Sequence, residues 1–331
     1  MNWREIFTSK VEEESVSQIG TDVNDDLIQE NRYKVLTPIA NPNNKTAMLN
    51  ISSGLLKASS LEGEVTILNI IELPGQTPLD LAEYRKETLS ERNSVQQEML
   101  KLAIEFGKKE GIIINPRILY SRNRFNTINN IVKQEKINFL LLGWRGSFSV
   151  GNIYNSLVKN LVRQAPCPVG VLKDNNLEQP RHILVPYRGS EHAHWGVEVA
   201  QRLAANYQGQ VTVLRVVKAG VDAQAEEERA LAETEEIITG EVEVNIKVVY
   251  AGEVVDGILS ESANNNYDLI VMGASKEWRF KNLLFGSIPD IIADKADTSV
   301  LMVRCYDQEV EVIEEEIAQE DTVEGEEPPK F

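Results

Sequence analysis

Residues able to do chemistry are few and scattered along this 331-residue chain. His192 and His194 stand beside Glu191 and Trp195 at the start of a predicted helix, where a metal pair or a general base could be imagined. Residues two apart on a helix point in different directions, so both are read as surface or capping residues. Ser147, Ser156, Ser190 and Ser287 offer hydroxyls, yet no local His and carboxylate accompany any of them. Ser156 and Ser287 are instead read as helix caps within reach of a phosphate. Cys167 and Cys305 lie about one domain apart without a second thiol nearby, which suits two reduced, buried thiols better than a metal site. Arg122 and Arg124 follow a predicted strand, where they would meet either a ligand phosphate or plain solvent. Two further loops begin with a glycine directly after an apolar strand, at Gly143 and Gly273. Their tryptophans, Trp144 and Trp278, are read as packing residues rather than base-stacking ones.

The elements that must position these residues occur twice. Short β-branched apolar runs alternate with longer amphipathic stretches, as in βα units around a parallel sheet. One copy opens with the strand 33–39 and, past Asn41-Pro42-Asn43, a helix through Leu49, Ile51, Leu55 and Leu56. The other opens with the strand 182–187 and a helix through Val197, Ala200, Leu203 and Ala204. Second strands at 65–70 and 211–216 each follow a glycine turn, at Gly63 and Gly209. Charged helices over 80–107 and near 223–238 come next; their one-sided apolar pattern is that of crossover helices. Third strands at 112–120 and 242–250, short helices around 128–132 and 254–259, fourth strands at 139–142 and 269–272, and last strands at 169–172 and 300–303 complete the copies. The pattern predicts an α/β chain of two tandem five-stranded, parallel, doubly wound domains, at 31–174 and 181–306. Segment 175–180 is the expected linker, 1–30 a flexible or helical lead-in, and 307–331 an acidic disordered tail. Right-handed crossovers place helices on both faces and put any ligand outside the carboxyl ends of the strands, near the switch point.

A formal net charge of −17 repels phosphate backbones, and no basic stripe offsets it, so nucleic acid is excluded as a partner. Much of that charge lies in the tail, where ten acidic residues from Glu309 to Glu327 have no basic residue among them. No apolar run is long enough to span a bilayer and Met1-Asn2-Trp3-Arg4-Glu5 is not a signal peptide, so a cytoplasmic location without membrane insertion is expected.

A Val-Pro-ended first strand, a glycine loop after strand four, a Gly-Ser pair opening the next helix and a closing strand together resemble the universal stress protein family. The resemblance covers 33–173 and 181–306 and implies an adenine nucleotide alpha hydrolase-like fold with the two copies paired as a pseudo-dimer. In the nucleotide-binding branch of that family an Asp after the first strand contacts the nucleoside, and a G-x2-G-x9-G-[ST] loop wraps the phosphates. Glycines there let backbone N–H groups approach phosphate at a helix N-terminus. The first copy matches at Gly143, Gly146 and Ser156, but its loop is one residue short, Asn155 replaces the last glycine, and Ala40 falls at the Asp position. The second copy keeps Gly273, Gly286 and Ser287, with Lys276 for the middle glycine and Arg188 for the Asp. A guanidinium only donates, so Arg188 cannot accept from sugar hydroxyls. Arg145 and Lys276 add cations to the loops, which suits an anion other than conventionally bound ATP. ATP, AMP or a cyclic mono- or dinucleotide are the ligands the resemblance implies.

Closer resemblance lies in Asn69-Ile70-Ile71-Glu72-Leu73-Pro74 with Gln76-Thr77-Pro78-Leu79, in Leu142-Gly143-Trp144-Arg145-Gly146, and in Leu284-Phe285-Gly286-Ser287-Ile288-Pro289. Together these look like the cytoplasmic tandem stress-protein modules of prokaryotic amino acid permeases (APC superfamily), which cation-proton antiporters also carry. The implied role is a non-catalytic regulator whose partner is a transporter membrane domain or another regulatory module, assembled as a homodimer. A cation-proton antiporter module and a free-standing tandem stress protein are the alternatives within the family. A weak nucleotide hydrolase would need a metal-binding carboxylate and a base near the phosphates, and Glu277 is the loops' one carboxylate before the helix. A purely structural role would be dimerisation through the last strands near Val300 to Val303.

Overall fold

The computed structural model describes residues 32–39, 45–57, 62–73, 92–144, 153–238, 240, 242–275 and 284–306, with only the backbone described at 92–97 and 153–155. Ala40, Arg145, Gly146, Ser147, Lys276, Trp278, the expected lead-in 1–30 and the acidic tail 307–331 lie outside the described residues.

The first copy runs β1 (Tyr33–Pro38), α1 (Lys45–Lys57), β2 (Gly63–Glu72), α2 (Arg92–Glu110), β3 (Ile113–Ser121), α3 (Arg124–Gln134), β4 (Phe139–Gly143), α4 (Ile153–Gln164) and β5 (Val169–Lys173). The second runs β6 (His182–Pro186), α5 (Glu191–Tyr207), β7 (Gln210–Val217), α6 (Ala223–Thr234), β8 (Glu243–Tyr250), α7 (Val254–Asn264), β9 (Leu269–Gly273), α8 (Ser287–Lys295) and β10 (Ser299–Arg304). Central strands such as Phe139-Leu140-Leu141-Leu142 and Val300-Leu301-Met302-Val303 are buried along their length, because helices cover both faces of the sheet.

Both copies share one ten-stranded sheet in the order β3-β2-β1-β4-β5-β10-β9-β6-β7-β8. Within each copy the pairs are parallel, and β1 lies between β2 and β4 just as β6 lies between β7 and β9. Strand order therefore reverses between β1 and β4, and between β6 and β9, opening a crevice at the carboxyl ends there. The copies meet where β5 and β10 pair antiparallel, with Val300 opposite Lys173 and Arg304 opposite Val169. Since β10 is bonded to β9 on its other side, Val300 to Val303 form an interior strand. The expectation of dimerisation through those residues is corrected: their backbone groups are consumed within the chain, and among the described strands the edges are β3 and β8.

The copies are also tied through their sides. The Tyr207 hydroxyl on α5 donates to the Asn50 carbonyl on α1 at 2.9 Å, beside a shared core containing Leu55, Leu56, Leu203 and Ala204. On the opposite face, Arg304 of β10 donates to the Val162 carbonyl and, at 2.6 Å, to the Ala165 carbonyl at the end of α4. Lys173 of β5 reciprocates, reaching the Ala293 carbonyl and, at 3.2 Å, the Asp294 carbonyl at the end of α8. Each copy's last strand thus supplies the cation that satisfies the orphan carbonyls of the other copy's last helix.

Candidate functional site

In the first copy, a cleft at the carboxyl ends of β1 and β2 is lined by Pro38, Ile39, Leu68, Ile70, Arg124, Ile128 and Leu157. The alternation of β2 sends Leu68 and Ile70 to this face, where α3 and α4 bring Ile128 and Leu157. Arg124 is placed by the helix start: Asn123 caps α3, its side chain accepting the Asn126 N–H at 3.0 Å, so Arg124 is the first helical residue. One terminal nitrogen, Nη2, lies 2.9 Å from Glu72 Oε2, while Nε is buried with no hydrogen-bond partner among the described residues. On the other face of β2, the Asn69 amide donates to the Ile39 carbonyl at 2.9 Å and its buried Oδ1 finds no partner there. Of the two, the Arg124 Nε lies on the cleft's side of β2, where a polar ligand would complete it. Arg122 is exposed and lines no part of the cleft. Gly143 ends β4, and Trp144 is buried with its N–H donating to the Leu172 carbonyl at 2.8 Å, a packing role. Ser156 is the fourth residue of α4 and exposed, so the expectation that it caps the helix is corrected; Asn155 precedes it inside the same helix.

The second copy is built differently at the equivalent places. Val254 opens α7 where Arg124 opens α3. Arg215, the β7 counterpart of Asn69, is buried and held by Glu226 at 3.1 Å and Glu233 at 2.9 Å, with its guanidinium 5.8 Å from the Tyr187 ring centre. Burial pushes the Glu233 carboxyl up, but hydrogen bonds and charge from Arg215 and Arg229 outweigh it and hold the group below the usual carboxylate range. Arg188, at the family's Asp position, is exposed.

Gly273 and Gly286 of the second copy are closely packed against described neighbours. A Cβ on Gly273 would lie 2.1 Å from the His192 carbonyl oxygen, so this glycine lets the start of α5 rest on the end of β9. Gly286, at φ +122°, turns its bare face to Ser275, whose Oγ would be 1.8 Å from a Cβ there. The Ser275 N–H donates to the Phe285 carbonyl at 2.7 Å. Gly286 is the N-cap of α8 without a side-chain bond, and Ser287 is the exposed first helical residue; the expected capping by Ser287 is corrected. The carboxylate that serves this end is Asp290, which accepts from the Leu284 N–H at 2.8 Å and the Phe285 N–H at 3.0 Å. Burial raises its pKa, against the lowering effect of those two bonds and of nearby Lys159.

The two histidines diverge as their spacing predicts, but the surface or capping role expected for them is corrected, since both are half-buried against side chains and Ser190 is the cap. His194 Nε2 meets the Tyr187 hydroxyl, and the rings stack 5.5 Å apart. His192 Nδ1 lies 2.7 Å from Cys305 Sγ, and Ser190 caps the helix by accepting the Ala193 N–H. Burial, then the charge of Glu191, push the Cys305 thiol up to about 12, which disfavours the thiolate a nucleophile needs, and burial does the same for Cys167. Both cysteines are accordingly expected to react with iodoacetamide at neutral pH about a hundredfold more slowly than a free thiol, and at ordinary rates in urea, as read by intact mass. Rapid labelling of the folded chain would refute the assignment.

The sequence profile described as the universal stress protein family matches residues 33–173 and 180–304, well over half of the chain. The chain belongs to the universal stress protein family. A universal stress protein from Archaeoglobus fulgidus DSM 4304 shares its fold with a TM-score of 0.58 and 19% identity, over 85% of this chain and 98% of that one. The cytoplasmic domain of a prokaryotic cation chloride cotransporter follows the same fold with a TM-score of 0.51 and 12% identity, over 82% of this chain and 95% of that one. No curated protein matches the sequence. In this stress-protein chain no helix among the described residues is long and apolar enough to cross a membrane.

Proposed function

We propose that this tandem stress protein is a non-catalytic regulatory module of an amino acid permease-type transporter, and that its first copy binds an adenine nucleotide, AMP or a cyclic nucleotide foremost. The observation that carries the ligand reading is the cleft at the β1 and β2 ends, with an apolar lining and the buried, unpartnered Nε of Arg124. Apolar walls suit a base or sugar face, and a guanidinium suits a phosphate. A regulatory role is supported by the two universal stress protein matches and the fold shared with a cotransporter's cytoplasmic domain. Support for a transporter partner comes from the tandem arrangement, a fold shared with the cytoplasmic domain of a cotransporter, and the permease-like motifs at Asn69–Pro74 and Leu284–Pro289.

A thermal-shift series with AMP, ATP, cyclic AMP and cyclic dinucleotides tests the ligand. A ligand at a hundred times its Kd stabilises the folded chain by about 2.7 kcal/mol. For a chain of this size that raises Tm by roughly 4 °C. Arg124→Ala is expected to remove most of the shift while leaving the unliganded Tm within about 2 °C, because its side chain is partly exposed. No shift with any nucleotide would refute nucleotide binding.

A further inference from the structure

We infer that the first copy's cleft takes a free apolar α-amino acid, its side chain on the aliphatic lining and its two charges on the Arg124–Glu72 pair. The inference rests on the geometry of the cleft and not on the nucleotide reading; in one cleft the two ligands would exclude each other. Leu68, Ile70 and Glu72 are alternate residues of β2 and share one face of the sheet, while Arg124 and Ile128 stand one turn apart on α3. Strand and helix therefore grade from apolar to charged in the same direction, Leu68 to Glu72 along one and Ile128 to Arg124 along the other. Ile39 and Leu157 complete the aliphatic lining. The charged groups meet at the strand's end, where Arg124 Nη2 lies 2.9 Å from Glu72 Oε2.

The ammonium and carboxylate of an α-amino acid sit on one carbon, so they form a close pair of opposite charges, as Glu72 and Arg124 do. Both side chains are partly exposed, at 33% for Arg124 and 55% for Glu72, and a ligand can reach them. A guanidinium carries several N–H donors and Glu72 engages one nitrogen, so Arg124 can hold a second carboxylate. The start of α3 adds the partial positive charge of a helix N-terminus on that side. An anion alone gains from Arg124 but is repelled by Glu72, and a cation alone meets the reverse; a zwitterion is attracted by both. The lining has no polar side chain besides Arg124, so a hydroxyl, amide or charge on the ligand's own side chain would lose its water without finding a partner. About 320 Å³ of empty space, the open mouth included, is at the small end of the range for ligand clefts and suits one amino acid better than a dinucleotide. Leucine, isoleucine and valine form the class that fits.

Calorimetric titration of the full chain with L-leucine tests this, with isocaproate, the same skeleton without the ammonium, and AMP as companion titrants. Leucine is expected to bind about tenfold or more tightly than isocaproate, the weight of one charge-assisted bond. Glu72→Gln should reverse that order, because the freed guanidinium then holds a carboxylate while the ammonium has lost its partner. A merely structural role for Glu72 would weaken both ligands alike. Arg124→Ala should abolish leucine binding. The inference is overturned if leucine fails to bind at millimolar concentration, binds no more tightly than isocaproate, or keeps its affinity in Arg124→Ala. AMP is read separately. A chain that binds AMP and not leucine keeps the nucleotide reading and loses this one, and a chain that binds leucine and not AMP does the opposite.

Discussion

Arg304→Ala is expected to destabilise the chain by roughly 3–5 kcal/mol, from two buried carbonyls left unsatisfied together with the lost packing of the buried stem. Arg304 is 4% exposed, and its guanidinium satisfies the Val162 and Ala165 carbonyls at the end of α4. Truncation leaves those carbonyls facing a cavity in the interior, each at a cost of about 1–3 kcal/mol. Because the donor comes from the second copy and the acceptors from the first, the loss also loosens the union of the copies, which the β5 to β10 pairing and the Lys173 bonds must then carry on that side. Urea denaturation followed by circular dichroism reads the effect. Arg304→Lys should recover about half of the loss, since an ammonium reaches a carbonyl without the fork that spans two. Lys133→Ala, an exposed change on α3, should stay within about 0.5 kcal/mol. A loss below 1 kcal/mol for Arg304→Ala would mean that water can replace the guanidinium at the end of α4.

Gly273→Ala is the second change with a large expected effect, a loss of about 3 kcal/mol or more. The new Cβ would lie 2.1 Å from the His192 oxygen, 2.3 Å from its carbonyl carbon and 2.6 Å from the Ala193 nitrogen. All three are backbone atoms at the start of α5, so relief requires the whole helix to move off the sheet, and Val197 and Ala200 on that helix are fully buried. Gly252→Ala is the matched control: a Cβ there meets nothing within 4 Å, and the melting curve should barely change. The pair separates two reasons for a glycine after the fourth strand. If Gly273 were kept only to admit a phosphate, Gly273→Ala would melt like the native chain and lose ligand; if it is kept for the approach of α5, the chain melts early with or without ligand.

The tandem α/β architecture was legible in the amino-acid order because it rests on local periodicity. Strands such as Val65–Ile70 and Val211–Val216 are β-branched and apolar, and they occupy matching places in the two copies. Element ends moved by a residue or so, as at Ile112, predicted to begin β3, which begins at Ile113. The helix expected over 80–107 is described only from Arg92, and it continues to Glu110. The divergence of His192 and His194 also followed from helix geometry alone, although their partners, Cys305 and Tyr187, did not.

The roles of the candidate site residues were a different matter. Gly273 and Gly286 matched a phosphate-loop spacing, yet that spacing is equally what close packing against His192 and Ser275 demands, and only the fold distinguishes a bare face turned to a ligand from one turned to a neighbour. Asp290 carried no signal, since a carboxylate in the first turns of a helix is commonplace. Its meaning depends on a backbone that doubles back to bring Leu284 and Phe285 to it. Arg124 was equally balanced between solvent and ligand in the sequence; only the fold shows that it lines a cleft with its Nε buried. By itself the sequence determined two copies of one fold and the strand ends where a ligand would sit, because periodicity and turn chemistry act over a few residues. How Arg304 and Lys173 bind the copies together was decided only by the tertiary structure, because those interactions join residues more than a hundred positions apart.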